Sequence, residues 1–129
     1  MINNDLNLNL YRQTLVRASR VQIPEFLQPE AAEALYQCLQ NEIPWALAER
    51  SAGVSHTLDA ATHAAMTPAE QQALLHKAYV RAGSEFQFSY DSYMMLRAVK
   101  EGWTPNLLHA VLEFLNEPEF LQFARRISG

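Results

Sequence analysis

Four histidines, His56, His63, His76 and His109, are the first residues to ask for chemistry. None is followed two positions later by Asp or Glu, and none makes the HExxH spacing that puts two zinc ligands on one helix face. A mixed site gathered in space from His56, Asp59 and His63 stays open beside the plainer reading of a solvated loop. The single cysteine, Cys38, excludes a Cys-rich zinc centre and an intrachain disulfide. It falls on an apolar helical stripe and reads as a small core residue rather than a nucleophile. Ser51, Ser55, Ser84 and Ser89 lack the context of a nucleophile elbow. The four glycines build no phosphate loop. What remains is FQFSYDSY, in which Phe86, Phe88, Tyr90 and Ser92 fall on one face of a strand. Rings at this spacing stack a ligand or rim a pocket in some folds, and more often build core. The hydroxyls of Tyr90 and Tyr93 need partners if buried, which makes these two the candidate binding residues.

The elements around this strand follow from local signals. Leu6, Leu8 and Leu10 alternate with polar residues and predict a strand reaching as far as Leu15. A second extended stretch runs from Arg20 to Phe26, with Pro24 confining it to an edge or an end. Pro29 opens a helix carrying Ala31, Leu35, Cys38 and Leu39 at helical spacing. Pro44 breaks it, and Trp45 and Leu47 begin a short strand ending near Ser51. Residues 52–66 read as strand, then loop. Thr67, Pro68 and Glu70 form a capping-box start for a helix to about Ala82, stopped by Gly83. The aromatic strand runs from 86 to about 93, followed by a loop or short helix to Trp103. Thr104 and Pro105 start a further helix with Leu108, Val111, Leu112 and Leu115 as its stripe. Pro118 starts the last, with Phe120, Leu121, Phe123, Ala124 and Ile127.

Together these elements predict an α+β fold of about four helices on a small, mainly antiparallel sheet. The 129 residues form a single domain or part of one. The expected core is Leu35, Leu39, Leu74, Tyr79, Phe86, Phe88, Leu108, Leu112, Leu115, Phe120 and Phe123. Apolar residues are 49% of the chain and charged residues 19%, an ordinary globular composition. The net charge of −4, with no block of like charge, argues against nucleic acid as a partner. Arg125 and Arg126 read as a solvated helix end. No apolar run reaches the roughly 20 residues of a membrane span, and the N-terminus lacks a signal-peptide pattern. A cytoplasmic protein is the expectation.

The segments VQIPEFLQPEAAEALYQCL, Pro44-Trp45, FQFSYDSY and LEFLNEPEFLQFARRISG, in this order, resemble the N-terminal region of 2-oxoglutarate- and Fe(II)-dependent oxygenases of the prolyl-4-hydroxylase-like group. In that family a phrase of the form FLNSPEFLxFLxxLTG precedes the catalytic barrel. Asn116 to Leu121 and Ile127 to Gly129 are similar to it, with Ser128 where threonine is usual. The resemblance spans most of residues 18–129. It implies a helical support layer and first strands, with Fe(II) and 2-oxoglutarate as the cofactors of the full-length enzyme. The His-x-Asp motif, distal His and basic residue that hold them have no matching position here and would lie beyond Gly129. The chain alone is therefore expected to bind neither and to be inactive. Its expected partner is the barrel segment, in cis or in trans, or a second copy in a dimer. The reading of a different class is a non-catalytic protein-interaction module.

Overall fold

The computed structural model describes residues 1–129. It is α+β: seven helices and a three-stranded antiparallel sheet, in the order α1 (Leu8–Ala18), α2 (Pro29–Asn41), β1 (Ala46–Ser51), β2 (Val54–Leu58), α3 (Ala60–Ala65), α4 (Pro68–Arg81), β3 (Ser89–Ser92), α5 (Met95–Glu101), α6 (Leu107–Asn116) and α7 (Pro118–Ser128). The fold class is as expected, but seven helices replace about four. The chain divides into two compact units: residues 1–42 with 95–129, and residues 43–94.

The first unit is helical. Its N-terminal stretch corrects the predicted strand: Leu8–Ala18 is a helix, not the start of a ladder. The Asn7 side chain accepts from the Leu10 N–H and caps it. Leu8, Tyr11 and Leu15, at helical spacing, are its half-buried stripe, and the helix packs on α7. Arg20 to Phe26 forms no ladder either. Pro24 and Glu25 turn the chain, with Glu25 at φ 51°. The segment is tied instead by a single bridge of Leu27 to Ile2, flanked by Asn3 N–H to Phe26 C=O at 2.9 Å and Gln28 N–H to Met1 C=O at 3.0 Å. The α2 start at Pro29 is as read, and Cys38 is 1% exposed, a small core residue.

The stretch read as loop or short helix is α5, whose Ala98 is fully buried. It is stopped by Gly102 at φ 68°, a conformation a side chain would strain. The next helix begins two residues later than its Thr104-Pro105 signal, because the Asn106 side chain accepts from the Leu108 N–H. It buries Leu108 and Phe114 and packs against α2 and α5. Four rings then close this core. Phe120 lies 5.6 Å from Phe114 and 6.5 Å from Phe123, and Phe26 lies 5.3 Å from Phe123 and 6.5 Å from Phe120. The Phe26 turn and the α6–α7 pair thus share one cluster.

The second unit is built on β1, the centre of a sheet ordered β2-β1-β3. β1 and β2 join through a two-residue turn, Ala52 at φ 50° and Gly53 at φ 76°, both left-handed as a tight hairpin requires. The predicted loop after β2 contains α3, capped by Asp59, which accepts from the Thr62 N–H at 2.9 Å. The capping box of α4 is present as read, Thr67 and Glu70 bonding reciprocally. Glu70 is held below the ordinary glutamate range, first by the Thr67 N–H and then by its hydroxyl. The helix turns Leu74 and Ala78 inward. Tyr79 was expected in the core and is 81% exposed, since it follows Ala78 by one position, about 100° round the helix. Phe86 was also expected inside and is 74% exposed, and Phe88 is half-buried. In β3 the ladder is shorter than read, Ser89–Ser92, extended by the Arg50 N–H to Phe88 C=O bond at 3.0 Å.

Candidate functional site

The alternation of β3 sorts its residues onto two faces. Residues paired directly across a ladder share a face, so Leu47 with Asp91 and Glu49 with Ser89 lie on one, and Ala48 with Tyr90 on the other. The face of Leu47 is covered by α3 and α4, and there an open cleft of about 380 Å³ lies between them and β3. Leu47, Met66 and Leu74 give it an apolar floor, and His63, Ser89 and Asp91 give it polar walls. Tyr90 reaches its rim and is 56% exposed.

His63 is placed by the helix start before it. Asp59 takes both the Thr62 N–H and the Thr62 hydroxyl, each at 2.9 Å, fixing the first turn of α3. The Thr62 N–H, followed by the hydroxyl, holds the Asp59 carboxyl below the ordinary aspartate range. One position on, His63 Nδ1 lies 3.1 Å from the Trp45 carbonyl oxygen. A carbonyl only accepts, so Nδ1 is the donor in this contact. Asp91 Oδ1 lies 3.8 Å from the same Nδ1, beyond hydrogen-bond reach. With Nδ1 engaged by Trp45, His63 and Asp91 do not form an oriented acid–base pair. Ser89 lines the same cleft as His63.

On the other flank of α4 a second cleft, about 450 Å³, holds Arg81 and Lys77 with Glu49 and Glu70. Arg81 Nη1 donates to the Ser51 hydroxyl at 2.8 Å, while its Nε is buried without an acceptor.

The two predicted binding tyrosines are not brought together. Tyr90 stands at the rim of the first cleft, and Tyr93, one residue past β3 and odd where Tyr90 is even, is half-buried and does not line it. His56, Asp59 and His63 do not converge either. His56 sits on β2 opposite Glu49, Asp59 caps α3 and His63 faces Trp45. No group of three or more His, Cys, Asp or Glu side chains could hold a metal ion, so Fe(II) does not fit the residues present. His63 and Asp91 were missed as cleft neighbours. The available signal was the odd-numbered face of FQFSYDSY, where Ser89 and Asp91 sit behind the rings. No helix is long and apolar enough to cross a membrane. Comparisons with protein-family models, with curated proteins and with solved structures find no match for this chain.

Proposed function

We propose that this chain is the N-terminal, non-catalytic part of a 2-oxoglutarate- and Fe(II)-dependent oxygenase of the prolyl-hydroxylase-like group, inactive alone, whose work is to buttress a catalytic barrel. One observation carries the reading. Two separate phrases that bear the family resemblance, VQIPEFLQ and FLNEPEFLQF, meet in space: Phe26 of the first packs 5.3 Å from Phe123 of the second. Distant segments that resemble one family and share one ring cluster are what a common structural layer would produce. In this reading Fe(II) and 2-oxoglutarate are held by residues of the barrel, and the chain supplies it with support.

The coding sequence is the first test. A reading frame that continues past Gly129 into His-x-Asp and a distal His supports the proposal. The longer product should then release succinate from 2-oxoglutarate, and residues 1–129 should not. A frame that continues without that triad sinks it. The second reading, a protein-interaction module, is favoured by Phe86 and Tyr90, which a monomer leaves 74% and 56% exposed.

A further inference from the structure

The sheet of the second unit has open strands at both sides, and β3 is the one with a pattern. The Arg50 N–H bonds the Phe88 carbonyl, and the same ladder sets Ala48 opposite Tyr90 and Ala46 opposite Ser92. Backbone groups alternate sides along a strand, so Phe88, Tyr90 and Ser92 turn theirs toward β1. Ser89 and Asp91 turn theirs away from it, to the outer edge, and the same alternation carried back past Phe88 puts Gln87's there once a partner strand extends the ladder. The rings run down one face, Phe86 to Phe88 at 6.2 Å and Phe88 to Tyr90 at 5.3 Å.

We propose that the outer edge of Phe86–Tyr90 pairs antiparallel with the same segment of a second copy of this chain, about a two-fold axis at Phe88. This goes beyond the oxygenase reading and does not depend on it. The segment reads ring, Gln, ring, Ser, ring, and its ring positions are the same in either direction. The two-fold therefore sets Phe88 opposite the partner's Phe88 and Phe86 opposite the partner's Tyr90. Every ring meets a ring, the cross-strand pairing that stabilises sheets. The same register lets Gln87 and Ser89, the two outward residues, exchange backbone bonds with the partner's Ser89 and Gln87.

Charge agrees with this occupant. Phe86–Tyr90 carries none, and it lacks the Lys or Pro with which edge strands refuse pairing. Asp91 lies just outside, and the chain bends at Glu85, so the two carboxylates do not continue the ladder. Area sets the strength. At roughly 150–250 Å² per ring, the exposed parts of Phe86 and Tyr90 offer about 250 Å² per copy. That makes roughly 500 Å² in the pair before the backbone is added, well under the ~1,200 Å² of a stable complex. The dimer is weak and forms with concentration.

Sedimentation equilibrium of the 129-residue chain from about micromolar to millimolar tests this. The mass should climb from 14.7 kDa toward twice that value. In the same series, amide exchange of Gln87 and Ser89 should slow, while Tyr90 and Ser92, already bonded to β1, should be protected throughout. Phe86→Lys should weaken the dimer at least about tenfold with an unchanged far-ultraviolet spectrum, and Val54→Lys on β2 should not. A monomer at every concentration overturns the proposal, as does a dimer indifferent to Phe86→Lys or disrupted by Val54→Lys. Slow exchange of Gln87 and Ser89 in dilute monomer would mean the edge is already covered, and overturns it too. So would an extended peptide of unrelated sequence that binds β3 as tightly as FQFSYDSY does.

Discussion

Phe114→Ala and Phe86→Ala remove the same side chain from opposite environments. Phe114 is 7% exposed and touches Phe120 at 5.6 Å, and Phe86 is 74% exposed. A phenylalanine offers roughly 150–250 Å², so at about 25 cal/mol per Å² the burial of Phe114 contributes roughly 3.5–6 kcal/mol. Denatured chains already bury some 10–40% of that area, which brings the figure to roughly 2–5 kcal/mol. This overlaps the ~3–5 kcal/mol usual for a Phe→Ala cavity. Phe86 withdraws only about a quarter of its surface, worth roughly 1 kcal/mol. The two tryptophans separate the readout, because Trp103 belongs to the first unit and Trp45 to the second. Urea unfolding of Trp→Phe single-reporter backgrounds follows each unit in turn. Phe114→Ala should move the Trp103 transition far more than Phe86→Ala moves the Trp45 transition. Equal costs would refute the burial assignment, and with it the outward-facing ring ladder on which the dimer proposal stands.

Thr67→Ala removes the α4 cap and should cost about 1 kcal/mol near neutral pH, read by thermal melting. The Glu70 partner of that cap has a depressed folded pKa, so its contribution is present above the unfolded glutamate value of about 4.3 and is lost as pH falls through the lower folded value. Glu70→Gln should flatten the acid limb of the melting curve below that pH, and an unchanged limb would remove the reciprocal bond from the account. Ala52→Asn should raise stability by a few tenths to about 1 kcal/mol, because asparagine tolerates the left-handed φ of the hairpin turn better than alanine. Residues 1–129 incubated with Fe(II), ascorbate and 2-oxoglutarate should yield no succinate above background. Turnover there would refute the non-catalytic reading.

The helix starts at Pro29, Thr67-Pro68 and Pro118 were legible because their chemistry is local: a fixed φ at each proline and, at Thr67 alone, a side chain that satisfies free N–H groups. Where that chemistry was present but outvoted, the reading failed. Leu6, Leu8 and Leu10 alternate like a strand, yet Asn7 caps a helix there, and only packing on α7 decides between the two. Asp59 and Thr62 likewise announced α3, but the small residues after them show no stripe. The exposure of Phe86 and Tyr79 was not legible at all. Which face of an element is covered depends on what the rest of the chain brings to it. The cleft beside His63 is of the same kind, assembled from β1, α3, α4 and β3, which no local pattern joins.

The division of the chain has a consequence for its synthesis. Residues 43–94 are one continuous run, whereas the helical unit is assembled from both ends, with α1 packing on α7 and α2 on α6. A ribosome delivers α1 and α2 long before their partners exist. The sheet unit, local in its contacts, can fold while they wait. The leading helices must spend that interval with their apolar stripes bare, and α7, Pro118–Ser128, made after the sheet unit, carries rings that end it.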